Sequence, residues 1–163
     1  MAISRRSAKH ASNIDETTRI ILVDELVKNA DRHCENVLIG VKKGNNIIHA
    51  IDYSHAIGDP DWNIDTLVVG DCDSPYVWRE NQDLYDILIS AGGTVSHDTL
   101  RRETERIRSC IDESFIDTIL RMIPEEWKKR IGQNRVDLAK QYVLSRVNGL
   151  ERICEMIMKE RGM

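Results

Sequence analysis

Between residues 29 and 36 the chain reads NADRHCEN: two acids, two bases and two amides where a helix-like segment gives way to an apolar strand. Asp31 and Asn36 stand in a D-x-x-x-x-N spacing, and a further acid, Asp52, follows two short apolar runs. Phosphoryl transfer requires two polar constellations. One acid must accept the hydroxyl proton and orient the nucleophile, while an amide and a second acid hold magnesium against the nucleotide phosphates. The spacing alone arises by chance in most chains of this size. A plainer reading therefore stands beside it, in which Asp31 caps a turn after the helix, Asn36 starts a strand and Asp52 ends one.

The elements that must position these residues can be read from period and turn chemistry. Asn13 and Glu16 form an N-x-x-E pattern, a variant of the capping box, before apolar positions at Ile20, Ile21, Leu26 and Val27; this predicts a helix over about 14–29. VLIGVK (37–42) and NIIHAI (46–51) predict two short strands, and KGN between them supplies the turn of a β-hairpin. Residues 52–79 show no period and hold dense Asp, Gly and Pro, so a long loop is expected there. The remainder reads as helix: 81–90, a break at Gly92-Gly93, 96–110 behind a Ser cap, 112–123 stopping at Pro124, a turn begun by PEEWKKRI, and a closing helix with apolar positions at Val136, Tyr142, Val143, Val147, Leu150, Ile153 and Ile157. The expectation is a mainly α fold with one β-hairpin, a flexible terminus over 1–13 and a single domain over 14–160.

Composition limits the partners. The chain has 163 residues, 41% hydrophobic and 31% charged, enough for one domain with a real core. Net charge is -4, which argues against a broad nucleic-acid or anionic-membrane surface. No apolar run approaches the ~20 residues of a membrane span. MAISRRSAKHASN is basic but lacks the apolar core of a secretory signal. Cys34, Cys72, Cys110 and Cys154 are far apart, which predicts reduced thiols in a cytoplasmic protein. His33, His49 and His55 have no zinc-motif spacing. DPDWNID lacks the sixth-position Gly and final Glu of a calcium loop, so Asp59, Asp61, Asp65, Asp71 and Asp73 read as a solvated acidic loop. Trp62, Trp78 and Trp127 read as packing anchors. RRETERIR reads as a solvated helix face.

Taken with their order, the motifs resemble a known family. Protein kinases mount D-x-x-x-x-N on a catalytic loop and place a second Asp after a short strand pair. NADRHCEN followed by HAIDYSHAIGDPDWN looks like atypical kinases of the HipA-like kind, which share a D-R-H-x-x-N loop and an I-D-x-x motif with phosphoinositide kinases. IPEEW (123–127) and VLSRVNGLERI (143–153) resemble the C-terminal helices of that branch. The resemblance spans roughly residues 14–158 and implies a protein-kinase-like C-terminal lobe. It implies Asp31 as catalytic acid-base residue, with Asn36 and Asp52 as magnesium ligands and Asp52 also at the phosphates of ATP. It further implies that His33 shapes the catalytic loop and assists at the γ-phosphate, and that Arg32 makes a structural contact. The acidic loop after Asp52 would stand where kinases keep their activation segment.

The chain departs from that family where the other lobe should be. Only 30 residues precede Asp31, with no Gly-rich phosphate cover and no strand Lys. An isolated catalytic lobe, half of a split kinase or a degenerate remnant is expected, with an N-lobe partner or a full-length counterpart. The expected substrate is a protein Ser or Thr. A lipid kinase would call for a basic loop after Asp52, and a kinase-derived binding module is the non-catalytic alternative.

Overall fold

A computed structural model describes residues 3–57 and 75–162. The acids Asp59, Asp61, Asp65, Asp71 and Asp73, together with Trp62 and Cys72, lie outside the described residues. The described chain is mainly helical with one two-stranded antiparallel sheet. None of its helices is long and apolar enough to cross a membrane.

The first segment departs from expectation. Ser4 and Ser7 cap each other's backbone N–H and start a short helix, α1 (Arg5–Ala8). Ile3, Ala8 and Ala11 are buried, Ile3 donates to the Cys34 carbonyl, and Ala11 bridges Asn46. The tail from Ile3 on is therefore packed rather than frayed, because its small and apolar residues cover the hairpin and α4 (Gln82–Ser90).

α2 (Thr17–Val27) follows a 3-10 turn at Ile14–Glu16. Asn13 does not cap it. Its amide pairs instead with the backbone of Ile48, donating to the carbonyl at 3.0 Å and accepting from the N–H at 2.8 Å. Lys28 adopts the left-handed conformation that ends α2. The hairpin is β1 (Val37–Lys42) and β2 (Asn45–Ala50), registered Val37 to Ala50 and Lys42 to Asn45. Its two-residue turn, Lys43-Gly44, has φ of 51° and 81°, the double left-handed geometry that matches strand twist.

Six helices complete the described chain: α3 (Tyr76–Glu80), α4, α5 (His97–Cys110), α6 (Glu113–Met122), α7 (Glu125–Ile131) and α8 (Gln133–Glu160). Ser96 and Thr99 form a capping box for α5, and Asp112 caps α6. α3 falls inside the stretch expected to be loop; five residues are too few to show a period.

The core has two parts. Ile21, Leu22 and Leu26 of α2 pack with Leu100 of α5 and with Leu150, Ile153 and Ile157 of α8. Each such side chain contributes roughly 1.5–3 kcal/mol by leaving water. The second part joins Val37 and Ile48 of the hairpin to Leu84 and Leu88. α4 lies between them, with Tyr85 in the first cluster and Leu84 in the second, so the hairpin is fixed against the helical body. Trp78 is a packing anchor, 5.4 Å from the Tyr85 ring. Trp127 is not: it is 60% exposed.

Candidate functional site

The segment 28–36 is held from beneath by a buried polar network. Asp24, on the inner face of α2, accepts a forked contact from Arg32, with Nη2 at 2.8 Å and Nε at 3.1 Å. It also accepts from the Asn29 amide at 3.1 Å and the Tyr85 hydroxyl at 3.0 Å. Asn81 accepts from the Arg32 N–H and donates to the Asn29 carbonyl. Burial lifts the Asp24 carboxyl above its ordinary range, while the Arg32 guanidinium and the other donors pull it down. A neutral Asp24 would strand a buried guanidinium, so the pair stays charged.

Arg32 Nη1 turns to the hairpin. It donates to the carbonyls of Asn36 (3.1 Å), Ile51 and Asp52 (3.2 Å), and the guanidinium lies 4.4 Å from the Tyr53 ring centre. One donor shared by Asn36 and Asp52 sets the start of β1 beside the exit of β2, a closure repeated by the Ile51 N–H on the Asn36 carbonyl. The Asn36 side chain is buried and donates to the Asp31 carbonyl at 2.8 Å. The structure thus brings the backbones of Asp31, Asn36 and Asp52 to one edge of the fold.

The Asp31 and Asp52 carboxylates at that edge face solvent, while Asn36 is buried. The Asp31 carboxylate lies 3.6 Å from His55 Nε2 and 3.9 Å from His33 Nε2. His33 accepts the Glu35 N–H on Nδ1 and so caps the 3-10 turn Cys34–Asn36 that leads into β1. Asp52 has φ of 57° and accepts the Ser54 N–H on Oδ1, a local turn that sets its carboxylate on the surface. The Ser54 side chain first, and its N–H second, hold the Asp52 carboxyl below the usual range. A left-handed non-glycine at the exit of the hairpin is the kind of backbone feature that collects at functional sites.

His55 falls in the stretch 52–79 that the sequence marks as loop. The turn at 54–57 folds it back onto Asp31, and the only sequence signal was its place three residues after Asp52. Asn36 Oδ1 makes no hydrogen bond among the described residues, and Asp52 keeps one carboxylate oxygen free of the Ser54 turn. Two hard oxygens of this type suit magnesium, which fills its shell with water and phosphate rather than with a full protein cage. Among the described residues no three His, Cys, Asp or Glu side chains gather closely enough to hold a metal by themselves.

No family model matches the chain, and no curated protein or solved structure matches it either.

Proposed function

We propose that this chain is the catalytic lobe of a HipA-like kinase, a phosphotransferase acting with Mg-ATP on the hydroxyl of a protein Ser or Thr. The observation that supports this reading is the Asn36 amide clasping the Asp31 carbonyl in a loop that Arg32 ties to Asp52. Asp31 is the residue whose carboxylate accepts the hydroxyl proton, with His33 and His55 beside it. Asn36 Oδ1 and the Asp52 carboxylate are the oxygens that would hold the metal. Magnesium held there would supply positive charge to offset that of the phosphates. A partner lobe supplies the phosphate cover and the adenine pocket, since positioning is most of catalysis in this reaction.

The test is a titration of the purified chain with Mg-ATP, followed by backbone NMR shifts. Weak binding is expected, with shifts centred on 31–36 and 52–55. Asn36→Ala and Asp52→Ala should weaken it at least about tenfold, and Asp31→Ala should leave it nearly intact. Transfer to a hydroxyl is expected to be poor until a matching N-lobe is added, and Asp31→Ala should then abolish it. A folded chain that shows no magnesium-dependent shift at these residues would favour the non-catalytic binding module.

A further inference from the structure

α6 and α7 are the least covered part of the described fold. α7 buries no residue and α6 only Ile116, although α6 is strongly amphipathic. Its second apolar face carries Phe115, Ile119 and Met122, at i, i+4 and i+7, and all three are exposed. Trp127 and Ile131 repeat the pattern on α7 at i and i+4, again exposed. Five large apolar side chains at helical spacing on consecutive helices form the sort of stripe that marks an interaction surface. The outward Trp is also the residue type that most often anchors one.

Charge identifies the occupant. α7 reads EEWKKRI, acidic in its first turn and basic in its last. Its charge therefore reverses along its own axis, and its complement is the same helix run the opposite way. At 100° per residue, Glu126 and Arg130 stand one turn apart on one flank of the Trp127–Ile131 stripe. Both are exposed, and neither makes an ion pair or hydrogen bond among the described residues. We propose that this stripe docks a second copy of the chain across a two-fold axis, with the two α7 helices antiparallel. Glu126 of each copy then faces Arg130 of the other, Trp127 and Ile131 fill the centre, and the α6 apolar face extends the contact. Because the patch is its own complement, the assembly closes as a dimer.

Sedimentation equilibrium of the full chain, from low micromolar to several hundred micromolar, tests this. A reversible dimer is expected, with Trp127→Glu monomeric throughout. Glu126→Arg puts cation against cation and Arg130→Glu puts acid against acid. Each should weaken the dimer roughly tenfold, since two symmetric pairs are lost together. The double variant Glu126→Arg/Arg130→Glu restores opposite charges and should recover wild-type affinity to within about threefold. All three positions are exposed, and circular dichroism confirms that each variant folds. A monomeric wild type over the whole range overturns the proposal, even if some other protein binds the stripe. A dimer indifferent to the single reversals, or one not rescued by the double variant, overturns it as well.

Discussion

A guanidinium offers five N–H donors in a rigid plane, and Arg32 places them on a carboxylate from α2 and on three carbonyls from the two ends of the hairpin. Removing it would leave Asp24 charged and buried with only an amide and a phenol for company. Arg32→Met is therefore expected to lower unfolding free energy by about 3–5 kcal/mol. Arg32→Lys keeps the charge but cannot fork, and is expected to cost roughly 1–3 kcal/mol. Urea denaturation of both variants checks this, and a loss below about 1 kcal/mol for Arg32→Met would show that the network is not what holds the loop. The D-R-H-x-x-N string made Arg32 legible as a structural contact. Its partner was not legible. Asp24 and Glu25 sit inside RIILVDELV, where periodicity sees a helix and gives no reason for two acids. The partners of Asp24 lie in the loop after α2 and on α4, those of Glu25 lie on α3 and α8, and no local pattern spans a separation of 121 residues.

Helices and strands were the most legible scale, because each carries its own period and its own stop signals. The hairpin, the Ser96 and Asp112 caps and the apolar positions of α8 all follow from short-range rules. Asn13 shows where such rules fail: its pattern fits a helix cap and its NH2 still reaches Glu16 Oε2 at 3.3 Å, but a strand edge 35 residues later engages both its NH2 and its oxygen. Trp127 fails in the other direction, since size and apolarity cannot say which face of an amphipathic helix finds a partner. Gly92-Gly93 is more demanding than a helix break requires. A Cβ at Gly93 would fall 2.7 Å from Thr17 Cβ and 2.9 Å from the Leu88 carbonyl oxygen, so α2 and the end of α4 touch only because that side chain is absent. Gly93→Ala is expected to cost about 1–3 kcal/mol by forcing these helices apart. Gly132→Ala is a poor control, as φ there is 89°, so the comparison belongs with an exposed helical position such as Glu105→Ala. A thermal midpoint for Gly93→Ala equal to that of Glu105→Ala would contradict the close approach.

At the scale of the whole molecule, the pair Glu25 and Arg146 ties α2 to the long closing helix within the larger core. Arg146 Nη2 reaches Glu25 Oε2 at 2.9 Å and its main-chain carbonyl at 2.6 Å, while the Trp78 N–H donates to Oε1 at 2.7 Å. Burial pushes the Glu25 carboxyl up from 4.5 to about 7, against the pull of Arg146 and Trp78 and with a smaller push from neighbouring Asp24. The sign of the consequence follows from proton counting. Between pH 4.5 and about 7 the folded state keeps a proton on Glu25 that the unfolded chain has released. Raising the pH through this window therefore favours unfolding, and above it both states are ionised and the slope vanishes. The contribution is fully present below the unfolded value and is lost, on the order of 3 kcal/mol, as pH rises through about 7. Carboxylates held low, such as Glu103 beside Arg19, act in the opposite sense and mainly at more acid pH. Glu25→Gln isolates the one group, because the amide can still accept from Trp78 but does not titrate. Urea midpoints taken across this window should show the wild type losing stability relative to Glu25→Gln as pH rises. A constant difference between the two proteins would mean that Arg146 keeps Glu25 ionised throughout, and that the ion pair outweighs its own desolvation.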